Sequence, residues 1–172
     1  NTAEKKMESD NSMDNYNRQL ARVLSGAENT EIIYAVNESG SFPMSDNVAF
    51  SGGIAWSLAT LMFPELIENS VVPVTYEEVL GFSEKLAHNY STMSDYYLIK
   101  AMGDKSLDMN VINRETKRVK QVFDQRSLMA GTGLLLKIMR QFESINERKN
   151  FYLVKNGSVG WISAYVNQNT LK

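Results

Sequence analysis

One histidine, His88, and no cysteine in 172 residues set the first limits on what this chain can do with its side chains. Thiol catalysis, disulfide scaffolds, cysteine-ligated zinc, iron–sulfur clusters and multi-histidine metal sites all fall away. A Ser–His–Asp triad would have only His88 to use, and a mid-helix position near Tyr90 suits a structural histidine better than a base. Asp104 and Asp108 lie in or near an expected hairpin and are the carboxylates open to acid–base work, although turn chemistry already accounts for Asp104. Glu77 and Glu78 are neighbours on one helix and point in different directions, so they act as cap and surface rather than as a catalytic pair. On this reading the chain has no catalytic residues, no metal site and no cofactor.

Binding chemistry is better represented. Ser51-Gly52-Gly53 and Gly131-Thr132-Gly133 match neither the phosphate loop nor the dinucleotide fingerprint, and their glycines are expected to permit a turn or close packing. Arg114, Lys117, Arg118, Lys120 and Arg126 form a basic cluster interrupted by Glu115 and Asp124. A solvated helix face with local ion pairs explains it better than an anion site. It has no aromatic interleaving of the kind that single-stranded nucleic acid requires. The aromatic residues are more suggestive. Trp161 and Tyr165, four apart on an expected strand, share a face with Ser163 between them. With Tyr96 nearby and Arg126 as counter-charge, they form a candidate wall for a small polar ligand; the competing reading is a sheet face covered by helices.

The elements that must position these groups follow from periodicity. Residues 2–24 read as one helix, polar at first and then striped by Met13, Tyr16, Leu20, Val23 and Leu24, ending at Ser25-Gly26. Residues 31–36 (EIIYAV) are β-branched and apolar and are expected to form a strand, followed by an irregular loop over 42–51. Helices are expected near 54–68, 75–91, 113–124 and 134–148, the second opened by the capping box Thr75-Tyr76-Glu77-Glu78. A strand over 95–102 with a return over 107–111, and a hairpin over 151–166 turning at Asn156-Gly157, supply a small antiparallel sheet. The fold class is therefore α+β and helix-dominated, with a stalk-like helix at 1–24 and a single domain over 25–172. Its core should hold Ile33, Trp56, Leu58, Leu61, Val79, Leu86, Leu135, Ile138, Phe142 and Leu153.

Hydrophobic residues at 43% and charged residues at 22% suit a globular domain, and a net charge of −2 gives no global attraction to nucleic acid or acidic membranes. The chain opens on Asn-Thr-Ala-Glu and contains no apolar run near the roughly 18–20 residues of a bilayer span. It reads as a segment of a larger protein that meets the membrane only through flanking segments. The lack of cysteine favours an extracytoplasmic setting. Two stretches carry a resemblance: Asp95 to Asp104 (DYYLIKAMGD) and Val159 to Thr170 (VGWISAYVNQNT). They are similar to strands in the periplasmic sensor domains, Cache/PAS-like or helical, of bacterial diguanylate cyclases, histidine kinases and chemoreceptors. The resemblance implies a sensory domain in signal transduction. It would bind a small molecule or a periplasmic binding protein, form at most a weak homodimer, and sit anchored to the inner membrane in the full-length protein. A small carboxylate-dependent hydrolase and a protein-binding adaptor of an envelope or secretion machine are the alternatives.

Overall fold

In the computed structural model, residues 13–38, 45–102, 107–143 and 149–157 are described. The fold is α+β and dominated by helices, as the periodicity implies. Helix α1 (Met13–Ala27) runs through a π-helical turn (Glu28–Ile32) into α2 (Ile33–Glu38). Strand β1 (Asn47–Ser51), α3 (Gly53–Met62), a 3₁₀ turn (Pro64–Leu66) and β2 (Val71–Val74) follow. Then come α4 (Tyr76–His88), α5 (Tyr90–Met102), α6 (Met109–Val122), α7 (Gln125–Glu143) and β3 (Asn150–Val154).

The sheet has the order β1-β3-β2, with β3 parallel to β1 and antiparallel to β2. Side-chain alternation sorts its faces. Val72, Val74, Phe151 and Leu153 are buried and Val48 and Phe50 half-buried on the inner face, where α3 packs. Asn47, Ala49, Val71 and Pro73 face outward and are exposed. Pro73 is tolerated because β2 is an edge strand. Both sides of β3 are already paired. The return strand expected over 159–166 lies outside the described residues.

Two expected strands, 31–36 and 95–102, are helices instead because packing overrides strand propensity, and most of the return strand expected over 107–111 is the start of α6. In residues 31–36 the β-branched run is overridden by packing: Ile32 and Val36, one turn apart, bury against Ile138 and Phe142 of α7, and Ile33 is left exposed. Counted in ordinary helical steps from Ala27, Glu31 would meet that face. The extra residue of the π turn delivers Ile32 there instead. For the same reason the helix does not end at Ser25-Gly26. Glu28 in the turn pairs with Lys137 of α7 at 2.5 Å, both largely buried. Nearer the start, Met13, Tyr16 and Leu20 pack on the core whereas Val23 is exposed. Of the stalk-like helix expected over 1–24, residues 13–24 thus form the part of α1 that packs on the core, and residues 1–12, on whose polar turns the weak-dimer expectation rests, lie outside the described residues.

Residues 95–102 belong to α5, whose buried Met93 and Tyr97 and half-buried Tyr90 make one helical stripe. Residues 109–111 belong to α6, capped by Asp108, whose carboxylate accepts from Asn110 N at 2.9 Å. Helix α7 starts nine residues before the expected 134, at Gln125, because Asp124 caps it through Ser127 N at 2.8 Å and the two glycines inside it sit against neighbouring helices. The expected loop at 42–51 contains β1. In the core, Leu58, Leu61, Val79, Leu86, Leu135 and Leu153 are buried as expected, while Trp56, Ile138 and Phe142 are half-buried.

The capping box at α4 is present: Glu78 N donates to Thr75 Oγ1 at 3.2 Å and Thr75 N to Glu78 Oε2 at 2.8 Å. Thr75→Ala removes the side-chain half of it and should cost about 1 kcal/mol in urea-induced unfolding. Thr75→Ser should restore most of the loss.

Candidate functional site

Between β1 and α3 the chain turns with a single positive φ, +108° at Gly52, a backbone that an L side chain rarely adopts. This reversal starts α3 directly at the sheet end and sets Trp56 and Thr60, one turn apart, on the same side of the helix. Helix α6 brings Val111, Arg114, Glu115 and Arg118 opposite them at helical spacing. The third wall is the turn after the 3₁₀ segment, residues 67–70, and the end of β3 at Lys155 and Asn156. Together they line a cavity of about 280 Å³ that is open on one side to solvent.

Its chemistry is polar over an aromatic floor. The Arg118 guanidinium lies 5.7 Å from the centre of the Trp56 ring. Glu115 accepts from Arg118 Nη1 at 2.8 Å and from Arg114 Nε at 3.3 Å. Lys155 closes the wall by donating from Nζ to the carbonyls of Leu66 at 2.7 Å and Ile67 at 2.8 Å. Burial holds its ammonium below the ordinary lysine range, while Glu68 and Glu115 pull it back upward. Thr60 is buried, and its hydroxyl has no hydrogen-bond partner among the described residues.

A wider groove of about 1070 Å³ lies elsewhere, between the 3₁₀ turn, β2, the start of α4 and β3. Glu65, Glu77, Glu78 and Glu143 against Lys149 leave it net acidic, with Phe63, Tyr76 and Tyr152 along its walls. The Glu143 carboxyl is pushed up by burial and by the charge of Glu77.

The expected ligand residues are not gathered on one sheet face. Tyr96 is on α5, and Trp161 and Tyr165 lie outside the described residues. Arg126, at the start of α7, lies over the Tyr16 ring at 5.3 Å, and Tyr16 Oη donates to its carbonyl at 2.9 Å. It helps hold α1 to α7. Of the basic cluster, Arg114 and Arg118 form local ion pairs on α6 as expected, and both also border the cavity or its floor. Asp108 is a helix cap, His88 is exposed in the last turn of α4, and Asp104 lies outside the described residues.

Sequence reasoning took Trp56 for core. Its signal was the pair Trp56 and Thr60 in a dense apolar helix, a hydroxyl one turn from an indole. Among the described residues no group of three or more His, Cys, Asp or Glu side chains could hold a metal ion, and no helix is long and apolar enough to cross a membrane. Compared with protein-family models, curated proteins and solved structures, the chain has no match.

Proposed function

We propose that this chain is the extracytoplasmic sensory domain of a bacterial transmembrane signalling protein, of the helical rather than the Cache/PAS-like kind, and that the Trp56 cavity receives its small-molecule ligand. The observation that carries the reading is the cavity itself, with its aromatic floor, charged rim and buried unpartnered hydroxyl. The route outward from it is continuous. Helix α3 packs on α7, and α7 holds α1, the π turn and α2 along its length. A ligand that shifts α3 or α6 thus acts on a helix that grips Met13–Glu38. The π turn is a site where helix register can change by one residue, a suitable element for a relay.

A thermal-shift screen tests this with Val111→Phe as the blocked control, since Val111 lines the cavity and is only half-buried. A compound at 100 times its Kd adds about 2.7 kcal/mol of stability, or roughly 5–10 °C for a domain of this size. The expected result is at least one metabolite that shifts the unmodified chain and leaves Val111→Phe unmoved. A screen in which no compound shifts the chain, or in which every shift survives Val111→Phe, rejects the cavity as the ligand site.

A further inference from the structure

Resting on that reading of the cavity, we propose that its ligand is a small carboxylate, held by its anionic head between Arg114 and Lys155 with its carbon body on the Trp56 ring. Size comes first. At about 280 Å³ the cavity is at the lower edge of the roughly 300–1,000 Å³ of small-molecule sites, so it suits a molecule of a few carbons.

Charge comes next. Three cations, Arg114, Arg118 and Lys155, border the cavity or its floor against two carboxylates, Glu68 and Glu115. Glu115 already engages both of its oxygens with the two arginines. Arg114 meets it through Nε, which leaves the terminal amines of an exposed guanidinium for a carboxylate. The Lys155 ammonium is held by two neutral carbonyls, so two of its hydrogens are engaged and the third remains. Glu68 and Glu115 act on it only from beyond ion-pair distance, so a carboxylate beside it would supply a direct counter-charge to a partly desolvated ammonium. Asn69, Ser70 and Asn156 add neutral polar groups to the wall, and the buried Thr60 hydroxyl is a donor for a second ligand oxygen once the side chains around it adjust. Opposite charge on the ligand would gain little, because Glu68 is the one carboxylate of the rim with no ion pair within 4 Å among the described residues, and it already faces Lys155 electrostatically.

The test uses three four-carbon molecules of three charges, the isosteric pair butyrate and n-butyramide and the cation n-butylamine, with inorganic phosphate as a fourth probe. Each is titrated into the chain, and the Trp56 indole is followed by ¹H–¹⁵N NMR, its signal assigned with Trp56→Phe. Butyrate is expected to move the indole saturably, with a Kd at least tenfold below that of n-butyramide. Arg114→Gln, at an exposed position, should weaken butyrate at least tenfold and leave both n-butyramide and the melting temperature unchanged. Tighter binding of n-butyramide, n-butylamine or phosphate at the same indole would overturn the carboxylate assignment while upholding the cavity as the ligand site. An indole unmoved by all four probes overturns the carboxylate assignment, and an accompanying thermal screen with no cavity-dependent shift overturns the site as well.

Discussion

Gly131→Val is expected to lower the melting temperature by about 6–12 °C, the equivalent of roughly 3 kcal/mol for a domain of this length. Gly131 is inside α7, where that helix crosses the start of α3. A Cβ at this position would stand 2.5 Å from Ile54 Cγ1 and 3.2 Å from Cγ2, so the inner atoms of the side chain obstruct it as well as its tip. Cγ1 and Cγ2 both branch from the β-carbon of Ile54, whose χ1 is stiff in a helix, so the added atoms press on α3 itself, and α3 carries one wall of the Trp56 cavity. Gly133, two residues on, gives the opposite expectation. An added Cβ there meets only the far end of Leu24, whose Cδ1 would be 2.5 Å away and whose Cγ is 3.9 Å away. Leu24 can swing aside, and alanine is favoured over glycine in a helix by about 1 kcal/mol. Gly133→Ala should therefore leave the melting temperature unchanged or raise it by up to about 4 °C. Equal losses in the two variants would mean that α7 does not approach α3 as closely as described.

Phe82→Ala is expected to cost about 3–5 kcal/mol in equilibrium unfolding. Phe82 is fully buried at the centre of α4, between Val79 and Leu86 on the face that packs against α7. Its ring also meets Tyr97 of α5 at 5.9 Å between centres, tilted by 54°, so the substitution removes an aromatic pair as well as a core volume. Tyr97 is itself covered by the Lys85 ammonium at 5.9 Å. Phe82→Leu keeps most of the volume and should lose about half as much. A loss below about 1 kcal/mol for Phe82→Ala would mean that α5 is not docked on this face.

Those helices were legible in the sequence to unequal degrees, and the differences have physical causes. Helix α4 was readable because its start is written in local chemistry, a threonine and a glutamate three apart, and its buried face in the spacing of Val79, Phe82 and Leu86. Helix α7 was readable only from residue 134 onward. Gly131 and Gly133 are poor helix formers, and nothing local says that Ile54 and Leu24 need the space. Residues 31–36 and 95–102 were misread because β-branched and aromatic side chains suit a strand until a partner helix gives them a better face. Tyr90, Met93 and Tyr97 have helical spacing, but the strand propensity of Tyr-Tyr-Leu-Ile is the stronger local signal. Strand β2 is four residues with a proline, and it is a strand because β3 has a free side for it.

The binding site was less legible than the fold, for the same reason. Trp56, Arg114 and Lys155 are far apart in the sequence, and only the sheet end and the α3–α6 packing bring them together. The basic cluster reads as a helix face with local ion pairs, and Arg114 and Arg118 form two of them with Glu115. That the face borders a cavity is information held by the tertiary structure alone.

Hydrogen–deuterium exchange tests the central claim most directly, with the chain saturated by the compound that gives the largest cavity-dependent thermal shift. Slower exchange is predicted in Gly53–Met62 and Met109–Val122, which wall the cavity, accompanied by a change of protection within Met13–Glu38 centred on the π turn at Glu28–Ile32. Both effects should vanish in Val111→Phe. Protection confined to the cavity walls, with Met13–Glu38 exchanging as in the free chain, would contradict the relay and leave only a binding domain.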